Sequence, residues 1–339
     1  MKTFAASVLL TLTSLVGWAA AEGYTLIKTV PVPGDGGWDY LIVDDADRRV
    51  YISHGTQVDV LDADTYEIKG TIKHEEIKGV HGIALAPELG RGFISNGQSN
   101  TVTVFDLKTL KPMGEPVKTG TNPDCILYDA STKRVFAFNG RSKNATVIEA
   151  ADSKVSGTIE LGGKPEFAQA DGTGNLFVNL EDKEEVLKID GKKMEVLARW
   201  KLEPGKEPSG MAMDTKKNRL FIGCGNQKLV VLDAENGKVI ANQPIGKGVD
   251  ATAFDPETGN IFSSCGDGTV TVVRQEGDKY TVVETIKTKE RAKTMALDRK
   301  THKLFLPSAD FKPAAEAGKR PTIIPKTFAI LVYSMEGKR

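Results

Sequence analysis

The sequence predicts an all-β chain folded as a seven-bladed β-propeller, and three observations carry that reading. Seven aromatic residues, Tyr51, Phe93, Phe136, Phe177, Phe221, Phe262 and Phe305, open similar short strands at steps of 42, 43, 41, 44, 41 and 43 residues. Self-similarity at this period, carried by β-type residues, marks four-stranded blades set in a ring. Several strands are apolar at nearly every position, as strands covered on both faces are. No stretch shows a helical period of useful length.

Each repeat reads in the same order. A first strand opens on a polar residue and reaches an acidic one five positions later, as in Asp39–Asp44 and Asp124–Asp129. A polar turn leads to the aromatic second strand, which ends at a glycine-containing turn such as His54-Gly55, Asn96-Gly97 or Asn139-Gly140. Glycine suits connections that need positive φ. A third strand follows (Val58–Asp62, Val102–Asp106, Leu229–Asp233), then an outer one (Ile68–Ile72, Lys154–Ile159).

The last repeat departs from this order. After Phe305 comes a Pro-, Ala- and Lys-rich insertion, Ala309–Thr327, then the apolar strand Phe328–Tyr333 and almost nothing more. The β-rich segment Tyr24–Val30 precedes the first blade. It is expected to supply the missing outer strand and close the ring, which removes an open sheet edge. The insertion leaves from the end of a second strand, as a ledge or lid on that face or as a packing arm over the last blade.

Residues 1–21 hold one lysine, an apolar run from Phe4 to Trp18 and Ala19-Ala20-Ala21, the pattern of a cleavable secretory signal. The run is short for a membrane anchor. A soluble, periplasmic or secreted single domain, residues 22–339, is expected, acting as a monomer. Lys+Arg 45 against Asp+Glu 45 leaves no net charge, where a dedicated nucleic-acid binder carries a basic excess. Three cysteines, Cys125, Cys224 and Cys265, are too few for a disulfide framework and read as buried thiols. No nucleophile elbow, phosphate loop or His-Glu-x-x-His motif is present.

The second strands Tyr51-Ile52-Ser53-His54, Phe93-Ile94-Ser95-Asn96 and Phe136-Ala137-Phe138-Asn139 carry a family resemblance. They are similar to the Tyr-Val-Thr-Asn signature of the YVTN-repeat, or YncE-like, bacterial exported seven-bladed propellers. The resemblance spans the mature chain and implies the fold and export. It implies little about chemistry, because propellers host many functions. His54, Leu180, Cys224, Cys265 and Ser308 stand where the motif has Asn.

Antiparallel strands bring the start of each first strand and the end of each second strand to the same end of the barrel. The first-strand starts are Asp39, His81, Asp124, Glu166, Ser209, Asp250 and Lys293, six of them ionisable. Because first strands line the channel of a propeller, these seven are expected to ring its mouth, with His54, Asn96 and Asn139 around them. Such a ring suits a small molecule or a protein partner, which the sequence does not name. With His81, Asp124, Glu166 and Asp250 as ligands it also suits a divalent metal ion, and hence a metal-dependent hydrolase of the lactonase kind. A plain, water-filled channel mouth is the third reading. Lys293 stands as an internal counter-ion, which weighs against metal. The expectation is a binding module, with the hydrolase as its alternative.

Overall fold

The computed structural model describes residues 23–34, 36–313 and 321–335. The expected signal, residues 1–21, and the centre of the insertion, residues 314–320, lie outside the described residues. Seven four-stranded antiparallel sheets form the blades. Their first strands, among them Trp38–Asp44, Val80–Ala86, Pro123–Asp129 and Pro165–Ala170, follow one another around the centre, and Ala296–Asp298 of blade 7 meets blade 1 again. The described residues hold no helix beyond two short 3-10 turns, Pro87–Leu89 and Glu181–Lys183.

Blade 7 is completed as expected. Tyr24–Pro31 pairs antiparallel with Ala329–Met335, from Tyr24 opposite Met335 to Pro31 opposite Ala329. Tyr24 also reaches blade 6. Its backbone N–H donates to Glu284 Oε1 at 2.8 Å, and its ring meets Phe262 edge-on at 5.4 Å.

The core lies between blades. Each second-strand aromatic is fully buried, and it packs on a neighbouring blade: Phe305 of blade 7 against Ile52 and Leu61 of blade 1, Phe177 of blade 4 against Leu220 and Ile222 of blade 5. Burying each such ring contributes about 1.5–3 kcal/mol. Sandwiching on both faces is why these strands do not alternate in polarity.

The acidic residue that ends most first strands has a local task. Asp44 Oδ1 accepts the backbone N–H groups of Ala46 and Asp47, and Asp129, Asp214 and Asp298 repeat the pattern. These carboxylates build the turn that leads into the second strand. Blade 2 has Ala86 there instead, and the 3-10 turn Pro87–Leu89 makes the connection.

Candidate functional site

Six of the seven proposed ring residues sit on one repeated irregularity. In blades 1 to 6 the pairing of first and second strands slips, between Trp38 and Leu41, Val80 and Ile83, Pro123 and Ile126, Pro165 and Ala168, Pro208 and Met211, and Val249 and Ala251. Asp39, His81, Asp124, Glu166, Ser209 and Asp250 are each the first residue passed over. A bulge bends a strand and re-aims its side chains. Second-strand serines hold these bulges: Ser53 Oγ accepts the Asp39 N–H at 2.7 Å, and Ser95 Oγ accepts the Gly82 N–H at 2.8 Å and donates to the Asp124 carbonyl at 2.5 Å. Lys293 differs, since the first strand of blade 7 begins only at Ala296.

Asp39, His81 and Asp124 come from three consecutive blades and converge. His81 Nδ1 lies 2.5 Å from Asp39 Oδ2 and 3.7 Å from Asp124 Oδ1. Burial opposes charging His81, yet the hydrogen bond to Asp39 and the charges of Asp124, Asp39 and Glu166 outweigh it and lift its pKa from 6.5 to about 9. Burial pushes Asp124 well above the usual carboxylate range, with His81 pulling the other way and Asp39 and Glu166 adding to the rise. One potential ligand atom from each of the three residues lies within 4.8 Å of the others, a spacing open to a divalent ion.

The other ring members are already paired. Lys293 Nζ lies 2.6 Å from Asp250 Oδ2, and Ser209 Oγ donates to Asp250 Oδ1 at 3.2 Å. Glu166 Oε2 stands 3.0 Å from Lys164 Nζ, and that ammonium also holds Glu181. Burial raises the Glu166 pKa in spite of Lys164, and raises that of Asp250 in spite of Lys293.

His54, Asn96 and Asn139, expected around the ring, are engaged inside their own blades. All three are buried. Asn96 Nδ2 donates to Thr101 and Thr103, Asn139 Nδ2 to Asn144 and Thr146, and His54 Nδ1 lies 2.8 Å from Asp59 Oδ2. Each ends a second strand whose partner strand supplies these polar groups, so the side chains turn sideways. Cys125, Cys224 and Cys265 are free buried thiols, as expected.

Tyr40 and Phe167 follow Asp39 and Glu166 in sequence, and sequence reasoning passed them by. They meet across the channel from blades 1 and 4, with ring centroids 5.3 Å apart, and the Tyr40 hydroxyl donates to the Glu166 carbonyl at 3.3 Å. The two rings line a chamber of about 260 Å³ bounded by blades 1 to 4, and a second chamber of about 270 Å³ lies against Leu41, Gln169 and blades 5 to 7. The signal that would have found the pair is an aromatic residue directly after a ring position.

The described part of the insertion is a short hairpin, Phe311–Lys312 paired with Thr322–Ile323. Phe311 lies 6.0 Å from Trp38, which stacks on Phe328 at 5.2 Å, and the Arg291 guanidinium covers Phe311. Lys289 and Asp310 pair at 2.5 Å beside it.

Among solved structures the chain is similar to hydrazine synthase of Kuenenia stuttgartiensis, with a TM-score of 0.70 over 81% of this chain and 94% of that one, at 15% identity. The likeness is one of fold. No family model and no curated protein matches the chain. Among the described residues no helix is long and apolar enough to cross a membrane.

Proposed function

We propose that this propeller is an exported binding module, kin to the YVTN-repeat propellers, whose recognition surface is the polar ring at one mouth of its channel. The convergence of Asp39, His81 and Asp124 from three blades carries the reading. Their partial burial, and the raised pKa values that follow from it, hold ionisable groups in a state that a bound ligand relieves. The seven-bladed fold is compatible with such a role. The test is a metabolite and partner screen with wild type and the Asp124→Ala, Glu166→Ala double variant. A ring ligand binds only the wild type while both melt alike; equal binding by the two moves the surface elsewhere.

A second reading rests on the ligand spacing of Asp39, His81 and Asp124. A divalent ion there would polarise an ester or lactone carbonyl or acidify a bound water, as in a metal-dependent hydrolase. Binding it requires His81 to give up its proton, since a ligating imidazole nitrogen is unprotonated. Elemental analysis of protein purified without chelator separates the readings: near-stoichiometric metal, lost on His81→Ala, favours the hydrolase, and its absence leaves the binding module.

A further inference from the structure

Four bulges do two things at once. Asp39, His81, Asp124 and Glu166 lie at the ring, and the residues that follow them, Tyr40, Gly82, Cys125 and Phe167, line the 260 Å³ chamber. The rest of that lining is apolar except Gln169, whose amide Nε2 donates to the Met211 carbonyl at 3.0 Å. The chamber thus adjoins the polar cluster through the chain itself.

The charges of the cluster are unevenly matched. Lys293 is taken by Asp250, Lys164 by Glu166 and Glu181, and His81 by Asp39. Asp124 is left over. Its carboxylate accepts no hydrogen bond among the described residues, and the one cation within ion-pair distance, His81 Nδ1, stands at 3.7 Å and is bound more closely by Asp39. A carboxylate left only 15% exposed, without a hydrogen-bond donor, is costly. Tyr40, whose hydroxyl lies in the field of Asp124, packs on Phe167 at 5.3 Å, and aromatic faces attract organic cations.

We propose that the ring and the chamber together bind a small amphipathic organic cation, its ammonium group on Asp124 and its apolar body between Tyr40, Phe167, Ile83 and Leu127. This rests on the reading of the ring as the recognition surface. A cavity of about 150 Å³ lined by apolar side chains takes benzene, so about 260 Å³ admits a six-carbon chain or a benzyl group. A bare divalent ion would leave this volume unused, and an anion would meet Asp124 and Glu166.

The test is calorimetry of the full-length mature protein with methyl-, butyl-, hexyl- and benzylammonium, with hexanol and with a panel of neutral sugars. Affinity should rise about fourfold per added methylene from methyl to hexyl. Hexanol should bind at least tenfold more weakly than hexylammonium, and Asp124→Asn, which keeps the shape, should erase that preference. Ala168→Leu, which narrows the chamber, should weaken hexylammonium more than methylammonium. Affinity that is flat along the series, or hexanol equal to hexylammonium, overturns the proposal. Sugars that bind wild type but not the Asp124→Ala, Glu166→Ala double variant, with no ammonium binding, overturn the cation and leave the ring as the surface. No ring-dependent binding by any probe removes both.

Discussion

His81 of blade 2 reaches Asp39 of blade 1 at 2.5 Å, so the mouth of the channel is stitched across a blade boundary by a hydrogen-bonded ion pair. The folded protein holds the imidazole proton up to a pH of about 9, against 6.5 for the free side chain. A pKa raised by folding contributes stability that is fully present below pH 6.5 and is lost as the pH rises through 9. The loss expected across that window is on the order of 3 kcal/mol. The His81→Gln variant should lack this step. Denaturant titrations at pH 6 and pH 10, with NMR titration of the His81 ring, check it; a ring midpoint near 6.5 contradicts the pairing.

Closure of the ring by Tyr24–Pro31 makes the amino-terminal strand part of the last blade. Deleting residues 24–30 leaves Ala329–Met335 as an exposed edge and uncovers Phe262, which Tyr24 packs against. The truncated chain should lose its single sharp melting transition in calorimetry. A melt at the full-length temperature would show that the strand is dispensable.

Arg48 holds two carboxylates, Asp298 of blade 7 at 2.6 Å and Asp64 at 2.7 Å. Asp298 is fully buried, and burial works to raise its pKa, but Arg48 and Thr301 outweigh burial and bring it down to about 2. Its stability contribution is therefore present above pH 3.8 and lost as the pH falls through 2. Arg48→Met leaves that charge uncompensated and should cost about 3–5 kcal/mol at pH 7. Acid unfolding should begin at higher pH in the variant, which far-ultraviolet circular dichroism against pH will show.

Gly92 lies where a Cβ would stand 2.1 Å from the Phe105 ring. Phe105 is fully buried and packs on Tyr51 of the neighbouring blade at 5.8 Å. Gly92→Ala should therefore displace that ring and destabilise by about 1–3 kcal/mol, measured by urea unfolding. An alanine variant of unchanged midpoint would mean that the ring has room to move.

Much of the candidate site was legible because a propeller repeats. Once the period was known, Asp39, His81, Asp124, Glu166, Ser209 and Asp250 fell at equivalent positions, and the structure sets all six on equivalent bulges. Three neighbours show the limit of the same logic. His54, Asn96 and Asn139 also occupy equivalent positions, but Thr101, Thr103, Asn144, Thr146 and Asp59 on the adjoining strands capture them. Equivalence in a repeat assigns a residue to an end of the barrel; it does not say where the side chain turns.

The sequence by itself determined the blade count, the strand order and the strand that closes the ring. These follow from local period and from the need to cover apolar faces and sheet edges, both written in residue type and spacing. Only the tertiary structure decided that Tyr40 spans the channel to Phe167, that His81 chooses Asp39, and that Asp124 is left without a donor. Tyr40 and Phe167 are 127 positions apart in the chain. Their meeting depends on the diameter of the closed ring, which no local pattern encodes.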